Sequence, residues 1–395
     1  MSAIRIFSVC IFLFVQPAFA ESQLDFTPQS PLEKYAHLLV HYSLYLQQGE
    51  TVSIITNPAA HELNLAVYRE ALIAGAYPYI SYITHMTPDI REIFFHYAND
   101  KQLEYVSPVD TFKRKHFDAL LIIEAPTNTK ALTGVDPERL SKVFKARSGI
   151  NKIFSERVAQ NDLKWCKTYF PTDALAQEAE MGSIEYQNFV FKACKLDEPD
   201  PAASWKNLSK MQEEIIQKLK GKKQVILKGP DIDLTFSIKD RVFVNCDGKT
   251  NFPDGEIFCS PVENSANGWV KFSYPAIKTG REVQDIELWF ENGKVIKEKA
   301  SKGQDFLTET LNTDDGSRVL GEFGIGTNYS INRFTKNILY DEKMGNTIHL
   351  AVGSGFPESG GTNESAIHWD MLCNMTEGEI IIDGEIFYKN GKFVK

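Results

Sequence analysis

Two textures of hydrophobic patterning divide the chain. In the first half, short β-branched or apolar runs alternate with stretches whose apolar residues recur at helical spacing. Thr51–Thr56 (TVSIIT) predicts a strand, and Ala59–Ala74 a helix on the spacing of Leu63, Val67, Ala71 and Ala74, with Gly75 as its stop. Tyr79–Ile83 and Ala119–Ile123 predict two further strands. Pro137–Ala146 and Thr172–Met181 predict helices, the first opened by its proline and the second capped by Thr172. Strands interleaved with amphipathic helices imply βαβ units around a parallel sheet. The turn after the first strand, Asn57-Pro58-Ala59-Ala60, has no glycine pattern that could cradle a phosphate, so no nucleotide is implied.

The segment Leu196–Ala203, with its Asp-Glu-Pro-Asp-Pro run, predicts an extended, turn-like connector. A helix then follows over Trp205–Lys220, with Leu208, Met211, Ile215 and Leu219 on one face and Gly221 at its end. That helix is expected to bridge the two halves. Beyond it, Val225–Lys228, Leu234–Ile238 and Val242–Asn245 are short strand-like runs. Ile286–Phe290 and Lys294–Glu298 form a hairpin about Asn292-Gly293, and Asn390-Gly391 closes Gly384–Lys395 in the same way. The expected architecture is an α/β N-terminal domain with a parallel-type sheet, residues 21–220, and a strand-rich, mostly antiparallel C-terminal α+β domain, residues 221–395.

Residues 1–20 stand apart. Arg5 is their single charge, the apolar run Ile6–Val15 follows, and Ala18-Phe19-Ala20 has the A-x-A form of a signal-peptidase site. A membrane span needs about 20 apolar residues, so this segment reads as a signal peptide cleaved after Ala20. The mature chain would begin at Glu21, periplasmic or secreted and without a stable membrane anchor.

Length supports two domains, since single cores stop growing beyond roughly 250–300 residues and the chain has 395. A net charge of −9, more negative once Arg5 is removed, argues against nucleic acid as a partner. Five cysteines remain after processing (Cys166, Cys194, Cys246, Cys259 and Cys373), an odd number without a C-x-x-C pair. Buried thiols suit most of them better than a zinc ribbon or a redox pair.

Six of the eight histidines lie between His37 and His116, without carboxylates at ligand spacing, and read as surface or satisfied core residues. The late pair differs. His368 and Asp370 are two apart, on one face if the segment is a strand, and imidazole with carboxylate holds zinc, cobalt or manganese. A surface His and Asp flanking a buried Trp369 explains the same pattern. Glu256 enters an apolar run and Glu322 sits in Leu-Gly-Glu-Phe-Gly-Ile-Gly, surroundings that are costly for a carboxylate without a cation or donors. The solvent face of an edge strand is the alternative for each. No G-x-S-x-G elbow is present.

The blocks Asn251–Pro261, Leu320–Thr327, Asn346–Gly361 and Glu364–Asp370, with Phe170–Ala193 upstream, together resemble the aminopeptidase T / aminopeptidase S family of two-metal metalloaminopeptidases. The likeness runs in family order over nearly the whole mature chain. It implies an aminopeptidase acting on peptides with a free N-terminus, a site in the C-terminal domain, and a homodimer. It implies two divalent ions (zinc, cobalt, manganese or magnesium) held by Glu256, Glu322, His349, His368 and Asp370, with Glu322 as the candidate bridging ligand. One position departs: where the family has a tyrosine, seven residues after the first ligand histidine, this chain has Phe356, which offers no oxygen. Tyr329, Tyr340 and Glu358 are the candidate replacements. Two alternatives stay open: another metal-dependent amide hydrolase, or an exported metal or peptide binder with reduced or lost catalysis.

Overall fold

The computed structural model describes residues 27–82 and 87–394. The segment read as an export signal, together with Ile83 and His85, lies outside the described residues.

The βαβ expectation is met. Tyr77–Tyr82, Thr51–Thr56, Ala119–Glu124, Lys164–Tyr169 and Asn251–Phe252 lie side by side in that order, each pair parallel. Parallel neighbours need crossovers, and the helix His61–Ile73 supplies the first, burying Leu63, Val67 and Ala71 against Val52 and Ile54. Thr172 caps the helix Asp173–Glu178 as its sequence predicts. The helices Pro88–Tyr97, Pro108–His116, Ser148–Ala159 and Ser183–Ala193 were not anticipated. Pro108–His116 is basic throughout its last turn and buries only Asp110 and Lys113, so no apolar stripe announces it.

The connector also differs from expectation. Asp200 accepts from the Ala203 amide at 2.9 Å and Pro201 takes the first helical position, so the helix runs Pro201–Leu219 and absorbs the last residues of the supposed turn. It does bridge. Trp205 and Leu208 belong to the N-terminal core, Ile215 and Leu219 to the C-terminal one. Trp205 is fully buried, its ring 5.0 Å from that of Phe252.

The C-terminal part has two large antiparallel sheets face to face and a separate two-stranded hairpin, Ala276–Lys278 with Arg281–Val283. One has eight strands, and includes the Glu287–Glu291/Lys294–Lys299 hairpin about Asn292-Gly293. The other runs His368–Asn374, Thr347–Gly353, Leu320–Gly326, Glu256–Cys259, Val244–Cys246. Phe236 of the first meets Phe323 of the second at 5.1 Å, edge to face, inside one shared core. The second sheet therefore spends one face on the core and leaves the other for chemistry. All five described cysteines are free, and all but Cys246 are fully buried. Among the described residues no helix is long and apolar enough to cross a membrane.

Candidate metal centre

Strand alternation decides which side chains share the free face of the five-stranded sheet. Phe323, Ile325, Ile348, Leu350, Trp369, Met371, Ile257 and Cys259 point into the core. The residues between them, Glu322, His349, His368, Asp370 and Glu256, must then point the other way. Register lines them up: Glu322 is opposite Ala351, which is opposite Asp370, while His349 is opposite Gly324 and Glu256 opposite Gly326.

Two glycines make this possible. A bulge falls between Leu320 and Glu322, so Leu320 faces the core and Glu322 does not, although an unbroken strand would put both on one side. The extra residue is Gly321. At Gly324 an added Cβ would stand 2.0 Å from Cε1 of His349, so only glycine lets the imidazole lie across its neighbour strand.

The five side chains form one connected cluster. Nε2 of His349 is 3.2 Å from Oε2 of Glu256 and 3.4 Å from Oε1 of Glu322; Nε2 of His368 is 2.9 Å from Oε2 of Glu322 and 3.3 Å from Oδ1 of Asp370. Glu322 thus offers one oxygen to each histidine. Nδ1 of His368 is 2.8 Å from the Ser354 carbonyl, which fixes the proton there and turns Nε2 toward the carboxylates. Glu256, Glu322 and His349 are at most 4% exposed.

Burial opposes charge on both imidazoles, but the carboxylates outweigh it. Glu256 and Glu322 push His349 up to about 9, and Asp370 and Glu322 push His368 up to about 12. Burial likewise opposes ionisation of Glu322 and Asp370, and the histidines pull both below the usual carboxylate range. Oε2 of Glu256 and Oδ1 of Asp370 are nevertheless buried without a hydrogen-bond partner. Orphaned carboxylate oxygens beside imidazole nitrogens are the donor set of a divalent cation, and the residues present fit one.

A second ring went unread in the sequence. Lys343 is fully buried, its Nζ 2.7 Å from Oε1 of Glu256, 3.8 Å from Asp254 and in contact with Glu342. Burial disfavours its charge, but Glu256, Glu342 and Asp254 hold it well above its ordinary value. Burial raises Asp254 to about 7 and Glu342 to about 8 against the pull of Lys343. Asp254 sits in a Pro-Asp-Gly turn and Lys343 in an Asp-Glu-Lys run, both of which look solvated in sequence. Phe356 borders the cluster, its ring edge-on to His368 at 5.0 Å and 4.8 Å from Phe258. The candidate replacements go elsewhere. Tyr329 donates to the Gly391 carbonyl, Tyr340 packs against Phe189, and Glu358 is exposed.

A cavity of about 760 Å³ opens at the carboxyl ends of the parallel strands, lined by Glu124 and Tyr169 on one side and Ile277 and Ile338 on the other. It holds none of the five clustered residues. The hairpin Ala276–Lys278/Arg281–Val283 links the two places: Ile277 lines the cavity while Lys278 donates to the His368 carbonyl at 3.2 Å.

Comparison with known proteins places the chain by family and fold. The family profile described as "Thermophilic metalloprotease (M29)" matches residues 28–393. Aminopeptidase PepS of Streptococcus thermophilus is 26% identical over 89% of this chain and 94% of its own length. Aminopeptidase 2 of Geobacillus stearothermophilus is 25% identical over 92% and 95%, and aminopeptidase T of Thermus thermophilus 27% identical over 67% and 72%. The solved structure of wild-type AmpT from Thermus thermophilus superposes with a TM-score of 0.80 at 22% identity, covering 92% of this chain and 99% of that one, and so shares the fold.

Gly324→Ala is expected to displace His349 and lower stability by about 1–3 kcal/mol, as overpacking does; a urea titration beside a metal-content measurement reads both effects. The pH dependence of the metal-free protein is a second expectation. His349 has its pKa raised from 6.5 to about 9, so the stability its proton contributes is complete below 6.5 and lost as pH rises through 9. Asp254 and Glu342, also raised, add in the same direction. Chelator-treated protein should therefore weaken by on the order of a few kcal/mol across that window. Urea midpoints at its two ends, with and without added zinc, test this; the zinc-loaded curve should be the flatter.

Proposed function

This chain belongs to the thermophilic metalloprotease family (M29) and is a metallopeptidase, and from that premise we propose that it is an exported aminopeptidase that frees N-terminal residues from peptides using two divalent ions. The observation that carries this reading is the position of Glu322, with one oxygen toward His349 and the other toward His368. His349 with Glu256 then forms one half-site, and His368 with Asp370 the other. Two imidazoles beside three carboxylates favour zinc, cobalt or manganese over magnesium, which prefers an all-oxygen shell. Ions held there supply Lewis acidity and a water acidic enough to attack near neutral pH.

The chain's own groups do the rest. Asp370, more open than Glu256, presents negative charge to a substrate's free α-amine, which an internal peptide bond lacks, and this gives exopeptidase selectivity. Lys343 stays charged behind Glu256 and keeps that carboxylate in place. Glu342, raised to about 8 by burial and more open than the ligand carboxylates with 16% of its side chain exposed, is our candidate proton carrier. It can hold a proton near neutral pH and give it to the departing amine. Phe356 adds no oxygen, which is the one feature that favours a binder with weakened catalysis.

Glu322→Gln is expected to lower hydrolysis of unblocked peptides by more than the roughly 10–100-fold that losing an outer partner of a metal ligand costs, with Nα-acetylated peptides resisting the parent enzyme throughout. Equal turnover of blocked and free peptides would remove the aminopeptidase assignment. Glu342→Gln should cut kcat by about 10²–10⁴-fold at unchanged metal content; an unaltered kcat leaves Glu342 without that role. For export, intact-mass measurement of protein recovered outside the cytoplasm should place the first residue at Glu21, and a retained Met1 would contradict the proposed cleavage.

A further inference from the structure

A second cluster of metal-ligating side chains lies in the N-terminal domain and shares no residue with the first. His37 ends the helix Pro31–His37, and His41 lies in the π-helical turn Leu38–Ser43 that continues it. Four residues apart on continuous helical backbone, they lie on one side, their rings 4.4 Å apart. Glu70, in the last turn of His61–Ile73, comes up between them: its Oε2 is 3.0 Å from Nδ1 of His37 and 3.1 Å from Nε2 of His41. The three ligand atoms all lie within 4.8 Å of one another.

We propose that His37, His41 and Glu70 bind a zinc ion or a similar borderline divalent cation, separate from the peptidase centre. Three features point to a cation and away from a plain hydrogen-bonded trio. First, Glu70 is 1% exposed, yet its Oε1 has no hydrogen-bond partner, so the trio leaves a buried carboxylate oxygen unused. A chelating carboxylate uses both oxygens. Second, the spacings match those of the peptidase cluster in this same structure, where imidazole nitrogens stand 2.9–3.4 Å from carboxylate oxygens. Zinc bonds of about 2.0–2.1 Å in a tetrahedron separate ligand atoms by roughly 3.3 Å, so each imidazole nitrogen needs to draw back from Oε2 of Glu70 by only a few tenths of an ångström. Third, the two imidazoles remain 43% and 32% exposed, which lets an ion enter and leaves a coordination position for water.

Two nitrogens and a carboxylate suit zinc; calcium and magnesium select oxygen shells. The bound ion would act on the turn that carries His41. The hydroxyls of Tyr42 and Ser43, next along it, donate to the carbonyls of Asp247 (2.9 Å) and Gly248 (2.6 Å), in the segment that leads to Glu256. An ion fastening this turn to Glu70 would tie the N-terminal helices to the approach of the catalytic strand.

The test uses zinc alone. The full mature protein is stripped with a chelator, equilibrated with Zn²⁺, freed of excess by gel filtration, and assayed for zinc by mass spectrometry. The His37→Ala/His41→Ala variant should carry one zinc per chain fewer than the parent. In a Glu322→Gln/His368→Ala background, which depletes the peptidase centre, one zinc should remain and disappear when His37 and His41 are also replaced. This second arm separates failure here from failure of the peptidase reading. Should the double alanine variant not fold by circular dichroism, His41→Gln keeps a donor for Glu70 while removing the imidazole, and should lose the same equivalent. Equal zinc in folded parent and variant would overturn the proposal.

Discussion

Burying three carboxylates on one face of a β-sheet is the constraint from which the rest of this structure follows. Glu256, Glu322 and Asp370 cannot be desolvated together without positive charge close by. The protein itself brings two imidazoles and, behind them, Lys343. Small residues supply the room: at Gly324 a Cβ would strike His349, and at Gly321 and Gly326 it would strike the carbonyls of Gly353 and Met344, backbone that packs close to these strands. The opposite face is rich in large apolar residues, which fix the strands that carry the cluster. Stability and chemistry divide the sheet between its two faces.

How much of this the sequence made legible depends on how local each signal is. Period-2 alternation is local, so the sharing of a face by His368 and Asp370 could be read directly. The cost of Glu322 among glycines and apolar residues was also visible, and it proved to be a buried carboxylate. What joins Glu256 to His349 is the registry of strands far apart in sequence, which no spacing encodes; a family likeness carried that step. Lys343 and Asp254 were missed for a physical reason. Their neighbours spell a turn and a charged run, and only long-range packing turns those into interior positions. His37 and His41 were set aside because no carboxylate stood near in sequence, yet the crossover helix folds Glu70 back onto them.

The fold-level reading succeeded where hydrophobic period was strong and failed where capping decided. The parallel sheet, the bridging helix and the Asn-Gly hairpins all rest on clear patterns. The start of the bridging helix does not: Pro201 after Asp200 looks like the close of an extended connector, but it is also an ideal first helical turn behind a capping aspartate. Local chemistry permitted both, and the burial of Trp205 beside Phe252 selects the helix.

Phe356 shows how far a site can be altered before its geometry fails. The phenyl ring stands edge-on to His368, so the aromatic packing there survives while an oxygen does not. An aromatic ring there still excludes water and raises the strength of every charge contact near it. The ring packs against His368, and the donors present must do without a phenolic partner. Since a hydroxyl aimed at developing charge acts on the transition state more than on the resting site, its absence bears on rate before it bears on metal retention. Binding and turnover are separable in this architecture because the carboxylates and imidazoles proposed to hold cations belong to paired strands, whereas Phe356 belongs to the loop that follows one of them.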